Sequence, residues 1–145
     1  MYPVMVEKVA AALGGERTLK DKLATMGDLH DAVRRGFPRG VVRELAKAAA
    51  HGLEEQKRVA HMVVSEATLK RNQTLSPGAS ERAERIARIV ALALDVFSNP
   101  VKAQNWLHQP NLVLGGTAPI LLAATDLGAR QVEQVLANIE YGLPA

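Results

Sequence analysis

Apolar side chains recur at intervals of three and four along most of the chain, which is the spacing of amphipathic helices rather than of strands. The longest such stripe begins after Ser76 and Pro77, a cap residue followed by a proline that suits the first helical turn. Its apolar positions lie on one face: Ala83, Ile86, Val90, Ala93 and Phe97. This pattern predicts one long helix at the core of the second half of the chain.

Cap residues, glycines and prolines predict shorter helices on either side of this long one. Gly36 suits a helix end and Pro38 the start of the next helix. Asn99-Pro100 and Thr125 suit two further starts, and the turn-forming residues 110–119 predict a loop. No strand alternation is legible, so the predicted fold is all-α. We expect a boundary near residue 75, with predicted domains at 1–75 and 76–145.

The segment LEEQKRVAHMVVSEATLKRN, residues 53–72, has the layout of a helix-turn-helix. Two short helices fit at about 53–62 and 66–72, with Ser65 as the N-cap of the second. Such a helix fits the major groove of DNA, where Lys and Arg reach phosphates or guanine and Asn reads adenine. The predicted DNA-binding residues are Ser65, Thr68, Lys70, Arg71 and Asn72.

One feature leaves a second interpretation of this segment open, a helical hairpin that only packs. Many helix-turn-helix proteins have glycine in the turn, whereas this chain has Val63. A β-branched residue with positive φ would be strained, so we expect a non-standard turn. Charge favours the DNA interpretation mildly, because residues 1–72 carry 13 Lys+Arg against 9 Asp+Glu and residues 73–145 carry 5 against 6.

Composition and motifs argue against catalysis, cofactors and membranes. The absence of cysteine excludes disulfides and thiolate metal sites. Charges interrupt every apolar run, and no basic leader precedes an apolar block, so we expect a cytoplasmic protein without a membrane span. The LGGT sequence at 114–117 lacks the Lys-Ser/Thr ending of a phosphate loop. The four histidines lack metal-ligand spacing and are expected at the surface or its boundary. We therefore predict no catalytic residues, no metal and no cofactor.

Several motifs in residues 67–142 resemble, in order and spacing, the toxin-binding domain of the Xre/MbcA/ParS antitoxins. They are TLKR, LSP, SERAERIAR, VFSNP, the Trp106-Leu107 pair, the Pro110-Asn111 pair, LGGTAP and IEYG. The stretch from HDAVRRGFPRGVVRELA to VAHMVVS resembles, more loosely, the Xre-like helical domain that precedes it in the family.

This resemblance implies an antitoxin of a type II toxin–antitoxin system. Members pair with RES-domain toxins, which are similar to ADP-ribosyltransferases and consume NAD, and they mask the active-site cleft of the toxin. The Xre-like half commonly binds the promoter of its own operon. The implied partners are a cognate RES-domain toxin, promoter DNA and a second copy of the chain within a larger complex. The alternative is a helix-turn-helix transcription regulator without a toxin partner.

The last predicted helix ends in IEYGLPA, which offers a way to mask a cleft. Glu140 and a terminal carboxylate at Ala145 suit a cationic phosphate-binding group, and Tyr141 offers a large contact area. Gly142 lets the chain turn off the helix, and Pro144 limits the entropy lost on capture. The predicted toxin-binding residues are Arg82, Arg85, Glu140, Tyr141, Gly142, Leu143, Pro144 and Ala145. The alternative is an ordinary helix cap with a frayed end.

Overall fold

The computed structural model describes residues 6–142, and these fold into helices, which confirms the all-α prediction. The helices are α1 (Val6–Ala12), α2 (Gly15–Leu19), α3 (Met26–Arg35), α4 (Gly40–Ala49), α5 (Leu53–Val63), α6 (Glu66–Arg71), α7 (Pro77–Phe97), α8 (Pro100–His108), α9 (Pro119–Leu122) and α10 (Asp126–Glu140). A 3₁₀ turn at Leu112–Leu114 lies between α8 and α9. Over this range the only extended pairings are two isolated bridges.

Four helix starts predicted from the sequence are confirmed as N-caps. In each, a side-chain oxygen accepts the backbone N–H three residues further on: Ser65, Ser76, Asn99 and Thr125. This bond satisfies one of the amide groups that a helix start leaves unpaired. The sequence pattern missed a further cap, in which Thr25 and Asp28 form a reciprocal capping box at the start of α3.

The helix start predicted at Pro38 is wrong, because α4 begins two residues later. Pro38 instead forms an antiparallel bridge with Thr74. The Leu75 amide donates to the carbonyl of Phe37 at 2.8 Å, and the chain can only enter this pairing because Gly36 has φ 93°. The bridge therefore ties the segment after α3 to the start of α7.

The long helix α7 is the central element of the molecule. It packs against α1, α3, α4 and α5, which precede it in the chain, and against α8 and α10, which follow it. Ile86, Ile89 and Leu92 are fully buried within it, and one continuous apolar core extends from Val6 to Leu136. The helix that follows the predicted boundary at residue 75 thus contributes to the packing of both halves.

The last third of the described chain packs α8, α9, the 3₁₀ turn and α10 around the end of α7. Trp106 is half-buried against Phe97, with the ring centroids 5.7 Å apart, and packs against the edge of the apolar core. Within residues 6–142, none of the helices has the length and apolarity needed to cross a bilayer.

Candidate functional site

The turn between α5 and α6 is compact and unstrained. Val63 is the last residue of α5 and is buried, and Val64 and Ser65 continue in extended conformation at φ −161° and −66°. None of the three has positive φ, so the strain considered for Val63 does not arise. The turn is non-standard, as predicted, because it joins the helices without a left-handed residue.

The exposed face of α6 presents two cations. Lys70 is 3.4 Å from Glu66, but both side chains are about 70 % exposed, so this ion pair holds Lys70 only weakly. Arg71 is exposed, and its hydrogen bond to Thr68 Oγ1 is long at 3.5 Å. The ammonium group of Lys70 and the guanidinium group of Arg71 are therefore both accessible to a partner.

The other three residues predicted to bind DNA take part in local hydrogen bonds. The Ser65 hydroxyl donates to Thr68 Oγ1 at 2.9 Å and accepts from the Thr68 amide at 3.2 Å. Asn72 Nδ2 donates to the Thr68 carbonyl at 2.9 Å. These hydrogen bonds cap both ends of α6. In this structure Ser65, Thr68 and Asn72 therefore stabilise the helix that presents Lys70 and Arg71.

Arg82, predicted for toxin contact, lies beside α6 rather than near the C-terminal end of the described chain. Its Nε donates to the carbonyl of Val63 at 2.9 Å, at the C-terminal end of α5. Together with Ser65, Thr68 and Asn72 it lines a cavity of about 340 Å³. Arg82 thereby satisfies a helix-end carbonyl and supports the turn of the helix-turn-helix segment.

Arg85 and Arg88 lie one turn apart on α7 and contact two further elements, the end of α9 and α10. Arg85 donates from Nε to the Ala123 carbonyl at 2.8 Å and from Nη2 to the Ala124 carbonyl at 2.9 Å, at the end of α9. Arg88 Nε lies 2.8 Å from Glu133 Oε1 of α10. The arginines at 82, 85 and 88 therefore connect α7 to α5, α9 and α10 in turn, which the motif alone did not indicate.

Glu84 lies within this arginine cluster and is largely buried. Burial raises the pKa of its carboxyl, and the nearby charge of Arg88 opposes that effect. Arg88 Nη1 is 3.7 Å from Glu84 Oε1. The distance is long for an ion pair, so the arginine offsets only part of the desolvation of Glu84.

The predicted tail is described in part. Glu140 is the last residue of α10, Tyr141 is 73 % exposed and Gly142 takes φ 71°, so the chain turns off the helix at the predicted position. Leu143, Pro144 and Ala145 lie outside the described residues. Because α10 begins next to Ala124 and 15 residues of helix extend about 22 Å, Arg85 and Tyr141 lie at opposite ends of α10.

The loop between α8 and α9 is closed by its own backbone and presents two apolar side chains. Asn111 Oδ1 accepts from the Val113 amide at 2.9 Å, and the Asn111 carbonyl accepts from the Gly116 amide at 2.8 Å. Asn111 also forms an isolated antiparallel backbone bridge with Thr117. Leu112 at the tip is 94 % exposed, and Val113 is 56 % exposed. We call Leu112 and Val113 the loop tip.

A polar cluster joins the end of α4 to α8. Gln104 Nε2 donates to the Ala48 carbonyl at 3.1 Å, and His108 Nε2 lies 3.0 Å from the Ala49 carbonyl. His51 Nδ1 is 3.0 Å from Gln104 Oε1. The His108 side chain is only 4 % exposed, although the residue as a whole is intermediate in exposure and lies at the boundary of the core. Its role is to satisfy a helix-end carbonyl.

Across the part of the chain that the structure describes, no three or more His, Cys, Asp or Glu side chains are grouped so that they could hold a metal ion. His108 and His51 instead take part in the hydrogen bonds just described.

Two family profiles match consecutive parts of the chain. Residues 28–88 match the antitoxin Xre-like helix-turn-helix domain, and residues 92–142 match the antitoxin Xre/MbcA/ParS C-terminal toxin-binding domain. The chain is 28 % identical to an antitoxin Xre of Pseudomonas putida over 121 residues, 83 % of this chain and 76 % of that protein. It is also 28 % identical to an antitoxin Xre of Yersinia enterocolitica over 118 residues, which are 79 % of this chain and 80 % of that protein. Both profiles describe antitoxin domains, which are not known as enzymes.

Proposed function

Because this chain belongs to the Xre/MbcA/ParS antitoxin family, we propose that it neutralises a RES-domain toxin that consumes NAD, by covering the active site of that toxin with its C-terminal region. The family supports a toxin partner and DNA binding in general. The family resemblance of the motifs from TLKR to IEYG supports the RES type of toxin.

One observation carries the masking proposal. Tyr141 is 73 % exposed at the end of α10, and Gly142 takes φ 71°, which does not continue the helix. A large aromatic ring on a rigid helix end loses little conformational entropy on binding, which is typical of an interface anchor. Glu140 beside it adds a carboxylate that can pair with a cationic group which otherwise holds a phosphate of NAD.

The same protein is proposed to repress its own operon as a homodimer. Lys70 and Arg71 are exposed on α6, where they can reach phosphates or base edges in the major groove. A six-residue helix contacts few base pairs, so a second copy would be needed for useful specificity. This DNA-facing surface is also what favours the second candidate function, a regulator without a toxin partner.

Deleting residues 140–145 tests the masking proposal. When the variant is co-expressed with the RES-domain toxin of the same operon, we expect growth arrest and loss of cellular NAD. The helical fold should survive, because the apolar face of α10 that packs on α7, including Val132 and Leu136, lies before the deletion. Tyr141→Ala alone should weaken toxin binding by about 2 kcal/mol or more.

Arg71→Ala is the matched control, because it should lose DNA affinity and still protect cells fully. A truncated protein that melts at the parent temperature and still protects would contradict masking by the C-terminal region. If the parent protein itself neither binds nor neutralises a toxin but represses the promoter, the regulator without a toxin is the correct function.

A further inference from the structure

Exposed apolar side chains concentrate in the part of the chain that matches the toxin-binding domain. Among residues 6–142, eight large hydrophobic residues are exposed, and six of them lie within 92–142: Val101, Leu112, Val113, Leu121, Leu127 and Tyr141. Leu112 is the extreme case, with 94 % of its surface accessible. A leucine presented so fully contributes little to folding, and together with the adjacent exposed Val113 it forms an apolar tip of the kind that interaction sites use.

The loop tip lies in the middle of a segment without formal charge. Residues 103–125 contain no Asp, Glu, Lys or Arg, although these types make up 23 % of the chain. The central part of a protein–protein interface is depleted of charged residues in the same way, since each buried charge would have to be desolvated. A nucleic-acid surface has the opposite character, because it requires cations.

The loop tip is also held ready for binding. The Asn111 side chain and carbonyl fix the loop through two short hydrogen bonds, and the 3₁₀ turn packs on α10. An apolar group that is already fixed in its bound geometry avoids most of the entropy cost of ordering a loop. The 3₁₀ turn packs on α10, whose C-cap is Tyr141, so one helix supports both the loop tip and the residues proposed to mask the toxin.

We propose that Leu112 and Val113 form a second anchor of the toxin interface, which inserts into an apolar pocket on the toxin away from its NAD site. This inference rests on the proposed function: the loop adds affinity at a site away from the cleft, whereas the C-terminal tail contributes affinity through Tyr141 and also masks the active site. The loop anchor holds the toxin whether or not the tail occupies the cleft. Removing the anchor therefore lowers affinity, and removing the tail restores toxin activity within a complex that still forms.

The test measures binding of full-length variants to a catalytically inactive form of the RES-domain toxin, by titration calorimetry. Leu112→Asp should lower the association constant by at least about tenfold, and Leu112→Ala by a smaller factor, since it removes apolar area without adding charge. Leu53→Ser is the matched control, because Leu53 is 68 % exposed on α5 outside the toxin-binding domain. It should bind the toxin within about twofold of the parent, a factor small against the tenfold loss expected for an anchor. All three variants should keep the parent melting temperature.

The alternatives give different results. Parent-like toxin binding by Leu112→Asp, with a toxin that binds the parent well, overturns the loop anchor and leaves the proposed function intact. A parent that binds no RES-domain toxin overturns the proposed function and the anchor with it. If Leu112→Asp converts a dimer to a monomer in light scattering while toxin affinity is unchanged, the surface serves a second copy of the chain and the inference is wrong.

Discussion

Glu84 shows how a single residue can reduce stability in a well-packed molecule. Its carboxyl is largely buried on α7, and desolvation raises its pKa although Arg88 and Arg85 lie nearby. Arg88 is closer to Glu133, at 2.8 Å, than to Glu84, at 3.7 Å. The positive charge is therefore directed mainly at α10, and ionised Glu84 is less stable in the folded protein than in the unfolded chain.

We expect Glu84→Gln to gain stability relative to the parent as pH rises. A raised folded-state pKa means that the native state favours the protonated carboxyl. The stability that protonated Glu84 contributes is complete below the unfolded-state pKa near 4.5. It is lost as pH rises through the raised folded-state pKa. Glutamine resembles the neutral form at every pH. Melting temperatures of both proteins between pH 4 and 8 check this, with Glu7→Gln, an exposed glutamate on α1, as the control for charge loss. A difference in melting temperature between Glu84→Gln and the parent that stays constant with pH would contradict this prediction.

At the scale of elements, α6 depends on its neighbours. It has six residues and none of them is buried, and so short a helix is unstable alone. The Ser65 cap at its start and the Arg82 bond to Val63 hold the preceding turn in place. The helix proposed to read DNA is thus positioned by a residue of α7, which belongs to the central packing of the protein.

Substitutions on α6 should separate base reading from charge neutralisation. Arg71→Ala should weaken binding to the native promoter by about 1–3 kcal/mol if the guanidinium meets a base edge. Lys70→Ala should reduce the slope of log affinity against log salt by about 1 if the ammonium meets a phosphate. Gel shifts over a salt series measure both effects. Arg130→Ala on α10, an exposed cation in the other half, should change neither. Equal behaviour of all three variants would favour the hairpin that only packs.

At the scale of the whole molecule, the two halves share hydrogen bonds as well as a core. The last carbonyls of α4 lack partners within their own helix, and α8 supplies them through Gln104 and His108. Both side chains are buried and the bonds themselves are part-buried, so they depend on the packing of α8 against α4. The two halves should therefore unfold together.

Gln104→Ala should lower the free energy of unfolding by about 1–3 kcal/mol, because it leaves α4 carbonyls buried without a donor. Unfolding should remain a single transition, since α7 contributes to the packing of both halves. Urea denaturation followed by circular dichroism and by the fluorescence of Trp106, which reports on the second half, measures both properties. Gln131→Ala, an exposed glutamine on α10, is the control. Two separate transitions in the parent would contradict this account.

The sequence alone determined the features that depend on near neighbours. Helix class follows from apolar spacing, and the four caps follow from a polar side chain and an amide three residues apart. The motif order from TLKR to IEYG likewise sufficed to recognise the antitoxin family, because it is read along the chain.

Only the tertiary structure decided which distant groups meet. Arg82 and Arg85 bind carbonyls 19 and 38 positions away, and Pro38 pairs with Thr74 instead of starting a helix. The exposure of Leu112 is decided in the same way, because a leucine in a loop is buried or presented according to what packs around it. The physical reason is that these contacts depend on how helices pack across the core, which no local spacing records.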